Sequence, residues 1–184
     1  LFMDGDGIPL AFSINRGNMN EQLTLKPLEK KIISDFELSK FIVCTDAGLA
    51  SEDNRKFNDK EGRAFITTQS IKKLKAHLKK WALATEGWKL SGSTKTYDIS
   101  KLDEMMDQAT PEEKTKIISK VFYKERWIKE NNFEQRLIVT YSIKYRDYQR
   151  NIRNAQIERA QKIIENNPTK IKKCNANDYK RFIH

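Results

Sequence analysis

The chain has 184 residues, room for one sizeable core or a core with an appendage, and a modest apolar content of 38%. Its net charge is +10, yet residues 1–60 hold only 8 Lys/Arg against 10 Asp/Glu, so the positive excess lies in residues 61–184. No apolar run approaches the roughly 18 residues of a membrane helix, which excludes such a span and favours a polyanionic partner, nucleic acid before membrane. The alternative is a lysine-rich surface that is only solvated.

The first 85 residues predict an α/β pattern. Two strand-like runs, 1–3 and 8–14, flank the glycine-rich turn 4–7 and predict a β-hairpin. The elements predicted after it are a helix over 24–36, a strand buried on both faces over 41–45, a short helix capped by Ser51 and ending at Phe57, a strand over 64–68 and a helix over 71–83. This order indicates a mixed sheet flanked by helices.

Residues 86–184 predict a basic, mainly helical region. A loop-like stretch over 86–100, with a short strand at 88–90, precedes helices over 100–108 and 111–121. Thr110 suits the cap of the second helix because a proline follows it. The elements predicted after these helices are a strand near 136–141, a long basic helix over 142–166 and a turn near Asp178.

Cysteine usage and the chain ends bear on the compartment and on completeness. Cys44 and Cys174 form no spacing pattern, and Cys44 lies in an apolar run, so we expect a buried free thiol and a reducing, cytoplasmic compartment. The chain begins at Leu1 in an apolar stretch and stops at His184 without a terminating signal. We therefore expect an internal part of a longer protein.

The strongest candidate for chemistry is Asp46, which follows the apolar strand 41–45. Open α/β sheets bind ligands outside the carboxyl ends of their strands, and a dehydrated carboxylate there is costly without a metal, a hydrogen-bond donor or a cation. The alternative is an aspartate that serves the turn or caps a helix. Asp4 and Asp6 lie in the hairpin tip, where aspartate commonly serves the turn itself. The two histidines, His77 and His184, have no partner at zinc-ligand spacing.

Arginines on the long predicted helix are candidate nucleic-acid contacts. Arg146, Arg150 and Arg153 share a face at spacings of four and seven residues, next to Tyr145 and Tyr148. Arginine with interleaved aromatic residues suits phosphate and base contacts. The alternative is a solvated face whose tyrosines pack on the core. We favour that alternative for the tyrosines and leave both interpretations open for the arginines.

Three ordered blocks resemble bacterial insertion-sequence DDE transposases. The blocks are DGIPLAF within 1–12, GNMNE at 17–21 and DAGLAS within 43–51, and they follow the order and spacing of that family. One departure is Arg16, where the family often has proline. The resemblance is sharp over residues 1–83 and looser afterwards, with a further match around 141–160.

The resemblance implies an RNase H-like fold, present here in part, whose three carboxylates bind two Mg²⁺ or Mn²⁺ ions and cleave and join DNA strands. Asp46 matches the second carboxylate of the family and would be a catalytic metal ligand. The first carboxylate would lie upstream of Leu1 and the third beyond His184, within a bacterial cytoplasmic protein. Double-stranded DNA and a second copy of the parent protein are the partners that the resemblance implies.

Glu130 matches part of the glutamate signature of the family. Tyr123, Arg126 and Glu130 have the signature spacing, but Leu137 stands where the signature has lysine. We interpret Glu130 as a coincidental match within an insertion between the second aspartate and the true glutamate. A non-catalytic RNase H-like DNA-binding or scaffold protein remains the alternative function.

Overall fold

A computed structural model describes residues 1–60, 62–166 and 178–182. Within them the chain is a mixed α/β protein with small sheets and six α-helices. It forms two compact units, Leu1–Leu83 and Ala84–His184. The sequence predicted the boundary between residues 85 and 86, two residues after the boundary in the structure. Among the described residues, no helix is long and apolar enough to cross a membrane.

The first unit contains two small sheets instead of the single mixed sheet that was predicted. Its elements are β1 (Phe2–Met3), β2 (Pro9–Ala11), α1 (Gln22–Asp35), β3 (Phe41–Thr45), α2 (Glu52–Phe57), β4 (Arg63–Thr67) and α3 (Ala76–Leu83). Strands β1 and β2 form the expected antiparallel hairpin, and β3 and β4 form a separate parallel pair. The predicted helix over 71–83 is interrupted, because Ile71–Lys73 is a 3-10 turn and Leu74 is extended.

Strand β3 is not buried on both faces, as its apolar sequence predicted. Val43 is buried, whereas Ile42 is 66% exposed and the free thiol of Cys44 is exposed. Val43 borders a small cavity together with Leu25 of α1, so α1 covers this face of the strand. A continuous apolar run indicates a strand but does not reveal whether a second layer covers its other face.

The second unit is built around a four-stranded antiparallel sheet. Its elements are β5 (Trp88–Leu90), β6 (Thr96–Tyr97), α4 (Leu102–Gln108), α5 (Pro111–Ile118), β7 (Val121–Glu130), β8 (Phe133–Ser142) and α6 (Ile143–Asn166). The strand order is β6-β5-β7-β8. Among the described residues, α-helices contain more residues than strands, as predicted, but the sheet is larger than the sequence indicated. A further 3-10 turn, Asp178–Phe182, coincides with the turn expected near Asp178.

Strand β7 was missed because a lysine occupies an inward position. Phe122 and Lys124 are both buried on the inner face, so the strand does not show an apolar alternation. The Nζ atom of Lys124 donates a hydrogen bond to the Ala84 carbonyl at 2.7 Å and lies 4.5 Å from the centroid of the Trp88 ring. Burial lowers the pKa of Lys124. Aromatic packing between Trp88 and Tyr141, at 5.7 Å between centroids, completes this part of the core.

Glu130 lies at the end of β7 and pairs with Phe133 across a tight turn. Both turn residues, Asn131 and Asn132, have positive φ values, as two-residue hairpin turns require. The resemblance implies a helix for the third carboxylate, whereas Glu130 lies on a strand.

Candidate functional site

Asp46 lies at the carboxyl edge of the parallel pair formed by β3 and β4. The hydroxyl of Thr67, the last residue of β4, donates a hydrogen bond to the Asp46 carbonyl at 3.2 Å. The same hydroxyl accepts a hydrogen bond from Thr45 Oγ1 at 3.0 Å. These two threonines fix the backbone at Asp46 relative to both strands.

The side chain of Asp46 is exposed and takes part in a turn. Its Oδ1 accepts a hydrogen bond from the Gly48 amide at 2.9 Å, and its carbonyl accepts one from the Leu49 amide at 3.3 Å. Sequence analysis expected a dehydrated carboxylate, but the edge of this two-stranded sheet is open to water. Asp46 therefore serves its turn, and its exposed carboxylate can also bind a ligand from solution.

A second carboxylate, Glu21, lies beside the same turn. A Cβ atom added to Gly48 would lie 3.1 Å from Asp46 Oδ1 and 3.6 Å from Glu21 Oε2, so the two oxygens are at most about 7 Å apart, the sum of these distances. Sequence analysis did not single out Glu21. Its position in the GNMNE block was the one indication of a role.

Asn54 links the segment that carries Glu21 to the segment that carries Asp46. The side chain of Asn54 is buried, and its Nδ2 donates hydrogen bonds to the carbonyls of Gln22 and Leu49, each at 3.0 Å. The predicted cap at Ser51 is confirmed, since Ser51 Oγ accepts a hydrogen bond from the Asn54 amide at 3.2 Å. The position of α2 therefore determines the geometry of the candidate site.

A buried carboxylate fixes α2 against α1. Glu29 is fully buried, and its two carboxylate oxygens accept hydrogen bonds from Asn58 Nδ2 at 3.1 and 3.0 Å. Desolvation by burial raises the pKa of Glu29, although the hydrogen bond from Asn58 and the charges of Arg63 and Lys26 act in the opposite direction. The Oδ1 atom of Asn58 is buried and has no hydrogen-bond partner among the described residues.

Asp46 and Glu21 do not by themselves form a two-metal site. No group of three His, Cys, Asp or Glu residues converges within the part of the chain that the structure describes. Two divalent ions need more carboxylate charge and more oxygen ligands than these two residues supply. Asp4 serves the hairpin turn as expected, since its Oδ1 accepts hydrogen bonds from the amides of Asp6 and Ile8 at 3.0 and 2.8 Å.

The three candidate arginines on α6 lie in different environments. Arg146 is largely buried and donates hydrogen bonds to Asp147 and Asp103, each at 2.7 Å. These hydrogen bonds, with Asp147 foremost, hold the pKa of Arg146 above its usual value. Arg150 and Arg153 are exposed, and Arg150 has only a long ion pair with Asp147, at 3.9 Å. The charges of Arg150 and Arg153 therefore face solvent, whereas the guanidinium group of Arg146 forms ion pairs within the chain.

Packing of the α6 tyrosines on the core, the favoured interpretation of the sequence, is not observed. Tyr145 and Tyr148 are 64% and 58% exposed, and their ring centroids are 6.3 Å apart. The helix is anchored near its two ends, where Ile143 and Ala160 are buried. The two tyrosines between these anchors are therefore left at the surface of the described part of the chain.

No protein-family model, curated protein or solved structure matches this chain. Its function must therefore be inferred from its residues and their geometry.

Replacing Asn54 by alanine is expected to destabilise the first unit by roughly 2 kcal/mol, since two part-buried carbonyls lose the donor that a buried side chain supplies. The control is Asn18→Ala, which changes an exposed asparagine. Chemical denaturation followed by circular dichroism measures both free energies of unfolding. Equal values for the two variants would contradict the role of Asn54 as the link between the two segments.

The raised pKa of Glu29 predicts a pH dependence of stability. In the unfolded state Glu29 ionises at its ordinary pKa, whereas in the folded state it keeps its proton to a higher pH. The contribution of this group to the free energy of unfolding is therefore present at low pH and is lost as the pH rises through the folded-state pKa. The free energy of unfolding of the wild type is therefore expected to fall relative to that of Glu29→Gln between about pH 4 and neutrality. Denaturant titrations of both proteins across this range measure the difference, and a wild type that gains relative stability would disprove the assignment.

Proposed function

We propose that the chain carries part of the catalytic core of an RNase H-like DDE transposase and that Asp46 is one of its catalytic carboxylates. One observation carries the proposal: the second and third sequence blocks meet beside Asp46, and the first block contacts the strand that leads to it. The ring of Phe2 stacks on that of Phe41 at 6.3 Å, which joins the first block to the strand that leads to Asp46. Glu21 of the second block lies beside Gly48 of the third.

Convergence of these blocks supports a shared role because they are separated along the chain. Asn54 binds the backbone next to Glu21 and the loop after Asp46, so the two segments are held together through part-buried hydrogen bonds. The exposed position of Asp46 at a strand end also suits a carboxylate that binds a ligand from solution.

In such an enzyme, divalent metal ions would activate the attacking oxygen and stabilise the leaving oxygen of a phosphodiester. Asp46 would supply one carboxylate ligand. The described residues do not complete that site, so the remaining carboxylates would come from elsewhere in the parent protein. The chain of 184 residues alone is then expected to bind DNA without cutting it.

Duplex DNA is the proposed partner of the second unit. The exposed guanidinium groups of Arg150 and Arg153 lie on one helix with the exposed ring of Tyr148. Guanidinium groups bind phosphate oxygens, and an exposed aromatic ring adds contact area at small entropic cost. A second copy of the parent protein remains a proposed partner by resemblance alone.

The alternative is a non-catalytic RNase H-like scaffold that binds DNA. It is favoured by the engagement of Asp46 in its own turn and by the lack of a third nearby carboxylate among the described residues. Cleavage distinguishes the two functions, because a scaffold binds DNA ends but never cuts them.

Asp46→Asn in the full-length parent protein is expected to reduce Mg²⁺-dependent cleavage of the element ends by more than about 100-fold, as expected for loss of a metal ligand. Asparagine retains the oxygen that accepts the Gly48 hydrogen bond, so folding and DNA binding should persist. Asp53→Asn, an exposed aspartate on α2, is the control and should cleave normally. Normal cleavage by Asp46→Asn would remove Asp46 from the mechanism, and binding without cleavage by the wild type would favour the scaffold.

The double variant Arg150→Ala/Arg153→Ala is expected to bind duplex DNA more weakly and with a smaller salt dependence. Each lost phosphate contact reduces the magnitude of the negative slope of log K against log salt by about 0.9, so loss of both contacts should reduce it by roughly 2. The matched control, Lys101→Ala/Lys120→Ala, removes two exposed charges elsewhere in the same unit. Fluorescence anisotropy at several salt concentrations gives both slopes, and equal slopes would contradict a specific role for the arginines.

A further inference from the structure

Four cationic side chains surround a single aromatic ring in the first unit. The charged groups of Lys26, Lys30, Lys60 and Arg63 lie 6.0, 5.8, 5.7 and 4.7 Å from the centroid of the Phe57 ring. We call these four residues the Phe57 cluster. They come from α1, from the loop after α2 and from the first position of β4. Three separate segments of the chain therefore bring their positive charges to one place.

The backbone fixes part of the cluster in place. Arg63 donates a hydrogen bond from its Nη1 to the carbonyl of Phe57 at 3.4 Å, which ties the start of β4 to the end of α2. Lys26 and Lys30 are one helical turn apart on α1, so both reach the same side of that helix. The cluster is thus defined by the packing of α1, α2 and β4.

The positive charge of the cluster is not offset by ion pairs. Within the described residues, none of its four cations forms a salt bridge, whereas Lys31 pairs with Asp35 and Lys56 pairs with Glu52, each at 2.6 Å. Glu29, a nearby buried carboxyl group, interacts electrostatically with Arg63 and Lys26, but its side-chain hydrogen bonds go to Asn58. The ring of Phe57 attracts cations through its quadrupole, but this attraction is weak at exposed sites. Four like charges held together in this way have a strong electrostatic attraction for an anion.

The cluster lies at the opposite edge of the parallel strand pair from Asp46. Arg63 is the first residue of β4, and Asp46 follows the last residue of β3. A five-residue strand is about 13 Å long between its end residues, at about 3.3 Å per residue. The cluster is therefore separate from the carboxylates of Asp46 and Glu21, which would repel the same anion.

We propose that the Phe57 cluster is a second DNA-binding surface, which binds phosphate groups of a duplex backbone. The proposed function supplies DNA as the polyanion, and the proposal rests on it in that respect. A duplex presents successive phosphates along its backbone, so more than one phosphate can bind cations of the cluster at the same time. The flexible lysine ammonium groups suit backbone contacts that do not depend on base sequence.

The test measures binding of the 184-residue chain to a duplex of about 20 base pairs, without divalent metal, at several salt concentrations. The cluster variant Lys30→Ala/Lys60→Ala is compared with the control Lys31→Ala/Lys56→Ala. Both remove two lysines, but the control lysines are ion-paired. In the cluster variant, the magnitude of the salt slope is expected to fall by roughly 2 and the affinity at about 100 mM salt by tenfold or more. In the control variant, slope and affinity should change little.

Thermal unfolding of both variants shows whether they fold. The cluster variant is expected to unfold at or above the wild-type temperature, because it relieves repulsion between like charges. Equal loss of binding in the two variants would show that only net charge matters and would overturn the proposal. A cluster variant that binds DNA like the wild type would also overturn it. Absence of any DNA binding by the wild type at about 50 mM salt would also overturn it.

Failure of this proposal and failure of the proposed function give different results. Binding is measured without metal on the 184-residue chain, whereas cleavage is measured with Mg²⁺ on the parent protein, so the two assays report on different residues. If cleavage by the parent protein does not depend on Asp46 while the cluster variant binds weakly, the catalytic assignment fails and the DNA-binding surface stands. If cleavage depends on Asp46 while the cluster variant binds normally, the surface fails and the catalytic assignment stands.

Discussion

The first unit depends on buried hydrogen bonds that α2 makes to its neighbours. This helix has six residues, too few to be stable in isolation, so tertiary contacts must hold it. Asn58 reaches the buried carboxylate of Glu29 on α1, and Asn54 reaches two carbonyls on either side of the candidate site. Burying a carboxylate is costly, and a hydrogen-bonded amide offsets only part of that cost. The geometry of Asp46 therefore depends on polar contacts whose partners are hard to replace.

A parallel pair of two strands would be marginal without such contacts. Parallel strands are usually buried on both faces, but here Val43 is inside while Ile42 is largely exposed. The pair is thus secured on one side by α1 and at its carboxyl edge by the hydroxyls of Thr45 and Thr67. This open arrangement explains why Asp46 is accessible to solvent and why its turn, rather than burial, fixes its position.

Local chemistry could be predicted from sequence better than burial. The caps predicted at Ser51 and Thr110 follow from side-chain oxygens placed at helix starts, and both are present. Burial depends on which other parts of the chain cover an element, so the prediction of a buried Cys44 from its apolar run was wrong. The predicted packing of Tyr145 and Tyr148 on the core was wrong for the same reason. Strand β7 was missed because Lys124 is stabilised inside by a carbonyl and a tryptophan ring, a combination that periodicity does not reveal.

The first unit separates its charges along the parallel strand pair. Asp46 and Glu21 make the carboxyl edge acidic, while the Phe57 cluster makes the amino edge basic. A DNA phosphate is repelled by two neighbouring carboxylates and attracted by the four cations of the Phe57 cluster, so the basic edge is the surface that DNA meets favourably. The same backbone can then extend about 13 Å along the strands toward the acidic edge. Affinity and chemistry in this unit are thereby assigned to different residues, which is why substitutions at the two edges should alter binding and cleavage independently.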